Sequence, residues 1–168
     1  MDVCELVGSK SGGAGLRNID VQSDILDLEA PPRPLGAGEG FPARYVYRFP
    51  FAGPGPYFCS QGSGGKLTHF AHPSTYHAID LDCAPGTEVL AIESGVVAEV
   101  KDDETVSGID VRNFFRWNQV IVRQADDTIV EYVHIAAGSA SARVRVGEAV
   151  CKGQVLCLSG DVGFCPKP

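Results

Sequence analysis

At 168 residues, 44% of them hydrophobic, the chain is long enough to pack one domain and too apolar to be disordered throughout. Its 14 Lys and Arg against 21 Asp and Glu leave a net charge of -7, which lacks the positive footprint that nucleic acid or an anionic membrane surface selects. The 20 Gly and 11 Pro, set among short β-branched runs, predict many turns and few long helices.

Residues 1–39 mix Gly, Pro and acidic residues around one short apolar patch, Ile25–Leu28, and run into PPRPLGAGEG, which predicts a flexible leader. The opening MDVCELVGSKSGGAGLRNID has no charged n-region followed by an apolar h-region, and no stretch reaches the length of a bilayer span. A signal peptide and a membrane span are therefore not expected in this chain. One domain is expected over 40–168. Its first strand candidate is the alternating aromatic run ARYVYRFPF, followed by the turn cluster GPGP and then YFCSQG.

Further strands are expected at His77–Asp82, Glu88–Ile92 and Val96–Lys101, with APGT and ESG as turns between them. Residues 102–116 read as a longer excursion. Beyond them NQVIVRQADDTIVEYVHI predicts a hairpin around Ala125–Asp127, and ARVRVGEAVCKGQVLCLSGDVG alternates again, with bends at Gly147, Gly153 and Gly160. Neither a repeat nor a heptad is present. The expected fold class is all-β, a small antiparallel β-sheet or sandwich. Of the six cysteines, Cys4, Cys59, Cys83, Cys151, Cys157 and Cys165, none forms a C-x-x-C pair, and Cys151 and Cys157 sit in apolar runs that read as sites of buried thiols.

Candidate chemistry lies in the four histidines, His69, His72, His77 and His134. Three of them precede Asp80 within THFAHPSTYHAIDLD. Imidazole and carboxylate are zinc ligands, and a catalytic zinc takes three protein ligands while leaving a position open. The spacing matches no H-E-x-x-H helix motif. On the residues alone, the alternative is a polar loop whose histidines make turn hydrogen bonds.

The segments SQGSGGKLTHF, YHAIDLDCAPGTEVLAIESGVV, WNQVIVRQADDTIVEYVHI and VRVGEAVCKGQVLCLSGDVGF, in this order over about 45–164, resemble the lysostaphin/LytM-type zinc metallopeptidases. That resemblance implies a small antiparallel fold of the duplicated hybrid motif type. It also implies one Zn2+ and hydrolysis of peptide crosslinks in bacterial peptidoglycan, which would place the protein outside the cell or in its envelope.

Residue by residue, Asp80 matches the zinc-binding aspartate. Many members carry the first zinc histidine four residues before it, where Tyr76 stands here. The subset reading QG…GKxxH before YAxD selects His69, with His72 as its rival. His77 lies three residues before Asp80, and strand periodicity turns its side chain to the opposite face. His134 matches the Y-x-H histidine, with an orienting or acid-base role. Asn118 matches the asparagine that opens the preceding strand, for which a structural hydrogen-bonding role is expected.

Relatives of this type continue past the SGxxGF segment into P-H-L-H-F, which supplies the third ligand, whereas CPKP stands at that point here. The resemblance therefore implies a domain lacking its final His-x-His strand, with an incomplete zinc site, either truncated or naturally inactive. The alternative function is a non-catalytic domain that binds peptidoglycan or a partner protein. A lipoyl- or biotin-type carrier is a third class, suggested by VRVGEAVCKGQVLCL and weakened because no Met-Lys-Met-like tip is present. Oligomeric state is not legible.

Overall fold

The computed structural model describes residues 47–53, 55–66 and 68–165. The predicted leader and the start of ARYVYRFPF lie outside them. Among the described residues eight short strands follow in chain order: β1 (Phe58–Gln61), β2 (Asp80–Asp82), β3 (Glu88–Leu90), β4 (Gly95–Lys101), β5 (Gln119–Gln124), β6 (Ile129–Val133), β7 (Ala149–Val150) and β8 (Val155–Leu158). Among the described residues, helix is confined to two 3-10 turns, Pro73–Thr75 and Val111–Asn113. The fold is all-β, as the turn-rich composition predicts. Two compact units are described separately, Cys59–Leu81 and the described residues of 47–58 with 82–165.

The larger unit is built on a four-stranded antiparallel sheet in the order β6-β5-β4-β7. Residues paired across strands share a face, so the register fixes what is buried. One row runs Val97, Val122, Val130 and the next Val100, Val120, Tyr132. Both rows join the core with Ala91, Ile135, Ala140, Val144, Leu156 and Cys157. Val97 and Val100 are three residues apart and would alternate in a regular strand. A register shift between Val97 and Glu99 turns both inward. The opposite face carries the rows Glu99, Ile121, Glu131 and Lys101, Gln119, Val133.

A second pair, β3 with β8, is also antiparallel, with Val89 opposite Cys157 and Phe51 bridged to Val89. The turn before β3 is Ala84-Pro85-Gly86-Thr87. The Thr87 N–H donates to the Ala84 carbonyl at 3.2 Å, and Gly86 has φ of 86°. That is a type II turn, with proline setting φ at its second position and glycine accepting positive φ at its third. The predicted hairpin at Ala125–Asp127 forms, closed by Asp127 in the left-handed region at φ 67°.

Some expectations change. The strand predicted over His77–Asp82 is only Asp80–Asp82, because the 3-10 turn after Pro73 continues as turn through His77. The described part of ARYVYRFPF bends at Pro50 and makes one bridge, Phe51 to Val89, rather than a strand. Cys157 is a fully buried thiol, and burial pushes its pKa up to about 12. Cys151, read as a buried thiol, is instead half-buried and disulfide-bonded.

The smaller unit pairs β1 with β2 around a loop of tight turns. Among its described residues only Gln61 and His69 are buried, and both are polar.

Candidate functional site

The smaller unit is organised by side chains reaching for backbone. From the end of β1 the chain turns at once, with the Gly65 N–H donating to the Gly62 carbonyl at 3.0 Å. The Gly64 N–H and Ser63 Oγ both donate to the Tyr76 carbonyl, at 2.7 and 2.9 Å. These bonds fold the GSGGKLTH loop back so that His69 is buried, 3% exposed, beside Asp80 at the start of β2.

The His69 ring makes two contacts. Nδ1 lies 2.9 Å from the Gly62 carbonyl and Nε2 lies 3.1 Å from Asp80 Oδ1. A carbonyl can only accept, so Nδ1 carries the proton and donates to Gly62. This leaves the Nε2 lone pair facing a carboxylate lone pair, an arrangement that a cation between them, a proton or a metal ion, reconciles. The other Asp80 oxygen, Oδ2, accepts from Gln61 Nε2 at 3.0 Å. The Asp80 side chain is 43% exposed, so the pair opens to solvent on the carboxylate side.

His72 and His77 are placed differently. His72 caps the 3-10 turn, its Nδ1 accepting from the Ser74 N–H at 3.2 Å and lying 2.7 Å from Ser74 Oγ. His77 is exposed, its ring set edge-on to Tyr76 at 5.0 Å.

In the larger unit His134 directly follows β6 with φ of 58°, a left-handed conformation uncommon for a residue bearing Cβ. Its Nδ1 lies 2.7 Å from the Val162 carbonyl, so Nδ1–H donates, and in the neutral ring it is Nε2 that has the lone pair. Val162 is held in turn by a bridge to Ser107, and the Gly163 N–H donates to the Val106 carbonyl at 2.7 Å. Gly163 has φ of 96°, and a Cβ there would stand 3.0 Å from Trp117 Cα, so only glycine lets this backbone approach.

The Trp117 ring meets His134 edge-on at 6.2 Å and heads an aromatic row through Phe115 and Phe114 to Phe164. Part of the 102–116 excursion thus supplies the aromatic side of the His134 corner. Below it, desolvation of the Glu131 carboxyl on the sheet face lifts its pKa above the ordinary carboxylate value. The Trp117 indole N–H opposes this lift and nearby Glu99 adds to it.

Asn118 is fully buried. Its Oδ1 accepts from the Glu104 N–H at 2.9 Å, and its Nδ2 donates to the Glu104 and Ile135 carbonyls at 2.9 and 3.3 Å. All of its bonds go to backbone, the structural use that the sequence suggested.

The description of peptidase family M23 matches residues 74–168, more than half of the chain. The chain belongs to peptidase family M23. The match contains Asp80, Asn118 and His134 and begins after His69. A crystal structure from Pseudomonas aeruginosa that carries a provisional peptidase M23 name is 20% identical, over 77% of this chain and 44% of that one, with a TM-score of 0.48. It carries no weight beside the family match, and the chain spans less than half of that protein's length. The curated proteins give no match.

For an M23 chain the implied metal can be tested against the donors present. His69 Nε2 and Asp80 Oδ1 are chemically suited to zinc and converge at 3.1 Å, so these two fit the group. Among the described residues no cluster of three or more His, Cys, Asp or Glu could hold a metal ion. The reading of the sequence assigned no role to Gln61, Thr68 or Trp117. All three stood in the quoted motifs, but nothing in their spacing tells that Gln61 bonds to Asp80 and Thr68, or that Trp117 meets His134.

Proposed function

We propose that this M23 domain is a zinc-dependent metalloendopeptidase of the cell-wall hydrolase type, acting on peptide crosslinks of peptidoglycan. His69 and Asp80 would be metal donors and His134 the catalytic residue, within a domain running from about residue 40. The observation that carries this reading is the convergence of His69 Nε2 and Asp80 Oδ1 at 3.1 Å, with the far side of each group pinned by a hydrogen bond.

A zinc ion held there would supply Lewis acidity toward a scissile carbonyl. The chain's own residues do the rest. Gly62 fixes the His69 tautomer, leaving Nε2 to coordinate, and the Val162 carbonyl does the same for His134. With Nδ1–H committed to that carbonyl, His134 Nε2 is the atom able to accept a proton from an attacking water and pass it to the leaving amine. The aromatic row beside it offers apolar surface to a substrate chain, and the net charge of -7 disfavours polyanionic substrates.

Titration with Zn2+, and with Co2+ as a coloured substitute, tests the donors. The chain is expected to bind one equivalent, and weakly, because the two donors His69 and Asp80 are fewer than the three protein ligands a catalytic zinc takes. Asp80→Ala is expected to weaken binding by more than the roughly 10–100-fold that loss of an outer partner costs. Unchanged affinity in Asp80→Ala would remove that residue from the site. Release of peptides from crosslinked peptidoglycan by the chain, lost in His134→Ala with metal affinity retained, is the result expected for the activity. Metal-independent retention on peptidoglycan without cleavage would instead mark a binding domain.

A further inference from the structure

We infer that Gln61 is a positioning residue that holds the Asp80 carboxylate for cation binding, an inference that rests on the metal-site reading above. Gln61 is 7% exposed, and every polar atom of its side chain is used. Its Oε1 accepts from the Thr68 N–H at 3.0 Å, and its Nε2 donates to Thr68 Oγ1 at 2.9 Å and to Asp80 Oδ2 at 3.0 Å. Only this amide orientation is possible, because a backbone N–H cannot accept and a carboxylate cannot donate.

The consequence lies in what the carboxylate is left to do. A side chain that is 43% exposed has rotational freedom and two equivalent oxygens. By engaging Oδ2, Gln61 breaks that equivalence and leaves Oδ1 directed at His69 Nε2. The two anchors are also reciprocal. The Gln61 side chain bonds to the backbone of Thr68, the neighbour of His69, while the His69 ring bonds to the backbone of Gly62, the neighbour of Gln61. One buried amide therefore ties β1, the histidine loop and β2 together, and sets the spacing between imidazole and carboxylate. Few apolar contacts are available in this unit to do so.

The test compares Gln61→Met, which keeps length and loses the amide, Gln61→Leu, and Thr68→Val, which removes only the side-chain oxygen and leaves the Gln61–Asp80 bond. Co2+ affinity and the visible spectrum of the Co2+ complex are measured for each. Both Gln61 variants are expected to bind about 10–100-fold more weakly with an altered Co2+ spectrum, and Thr68→Val to stay within about threefold. A Gln61→Met protein with the affinity and spectrum of the parent overturns the inference.

If the parent itself binds neither Co2+ nor Zn2+, the metal-site reading fails, and positioning is decided on the metal-free proteins. Crystal structures of parent and Gln61→Met are expected to show the contact between Asp80 Oδ1 and His69 Nε2 present in the first and lost in the second. A contact kept at its parental length in Gln61→Met shows that Gln61 does not position Asp80.

Discussion

The two units are held together by opposite means. In the larger one Val97, Val120, Val122, Val144, Val150, Ile135 and Leu156 are all at most 1% exposed, and stability comes from apolar area removed from water. In the smaller one the buried residues among those described are an amide and an imidazole, while Phe70 and Ile79 are 62% and 65% exposed. There, order comes from hydrogen bonds converging on Gln61 and His69. Such bonds contribute about 0.5–1.5 kcal/mol each, but leaving one buried partner unpaired costs more than the bond gains. A β-core can thus be robust to loss of single polar groups, whereas a candidate metal centre built from polar groups is sensitive to each of them.

The sharpest way to break that contrast is Leu156→Ala. Leu156 is fully buried in the core, so truncation forfeits transfer free energy and leaves a cavity, a cost of about 2–5 kcal/mol in denaturant-induced unfolding. A loss below about 1 kcal/mol would mean that the core can collapse around the site and that apolar packing is not what holds this unit.

The larger unit also contains a place that departs from its own rule. At His134 the backbone sits at φ 58°, where a Cβ costs about 1–2 kcal/mol. Elsewhere in a strand or helix glycine is less stable than alanine by about 0.5–1 kcal/mol. At position 134 the order is expected to invert, with His134→Gly more stable than His134→Ala by about 1 kcal/mol in thermal or denaturant unfolding, since both lose the bond to Val162 and only glycine escapes the strain. If alanine is the more stable, the left-handed conformation is not imposed by the surrounding structure.

How much of this was legible in sequence follows the same division. The β-class, the turn at Pro85-Gly86 and the hairpin around Ala125–Asp127 were readable, because alternation and turn chemistry are local and the apolar core rewards them. Strand length was not. The run His77–Asp82 looks like a strand, yet Pro73 and the His72 cap start a turn that consumes its first half, a competition that periodicity alone does not weigh. At the candidate site the sequence could name His69 and Asp80 through a resemblance. The partners that orient them were illegible, since Gln61 meets Asp80 and the Gly62 carbonyl meets His69 only through a loop whose path depends on glycine turns. The same holds for His134, whose Nδ1 partner Val162 lies 28 residues along the chain.

The smallest expected effect tests whether the polar face beside His134 is partly desolvated. Glu131 sits on the outward row of the sheet with Glu99 and Ile121, and desolvation of its carboxyl is the first cause that raises its pKa above the ordinary 4.5. A raised folded value means that the native state holds the proton more tightly than the unfolded chain does. The stability this contributes is fully present below the ordinary glutamate range, and it is lost as pH rises through the folded value. Glu131→Gln keeps the neutral shape and removes the charge, so its melting temperature is expected to exceed that of the parent at pH 7–8, with the gain vanishing near pH 4. Because the residue as a whole is exposed, solvent screening keeps the effect small. A gain of equal size at both pH values would assign it to packing of the amide against Trp117. No gain at either would show that solvent reaches the carboxyl freely, and that the face beside His134 is as wet as the remainder of the surface.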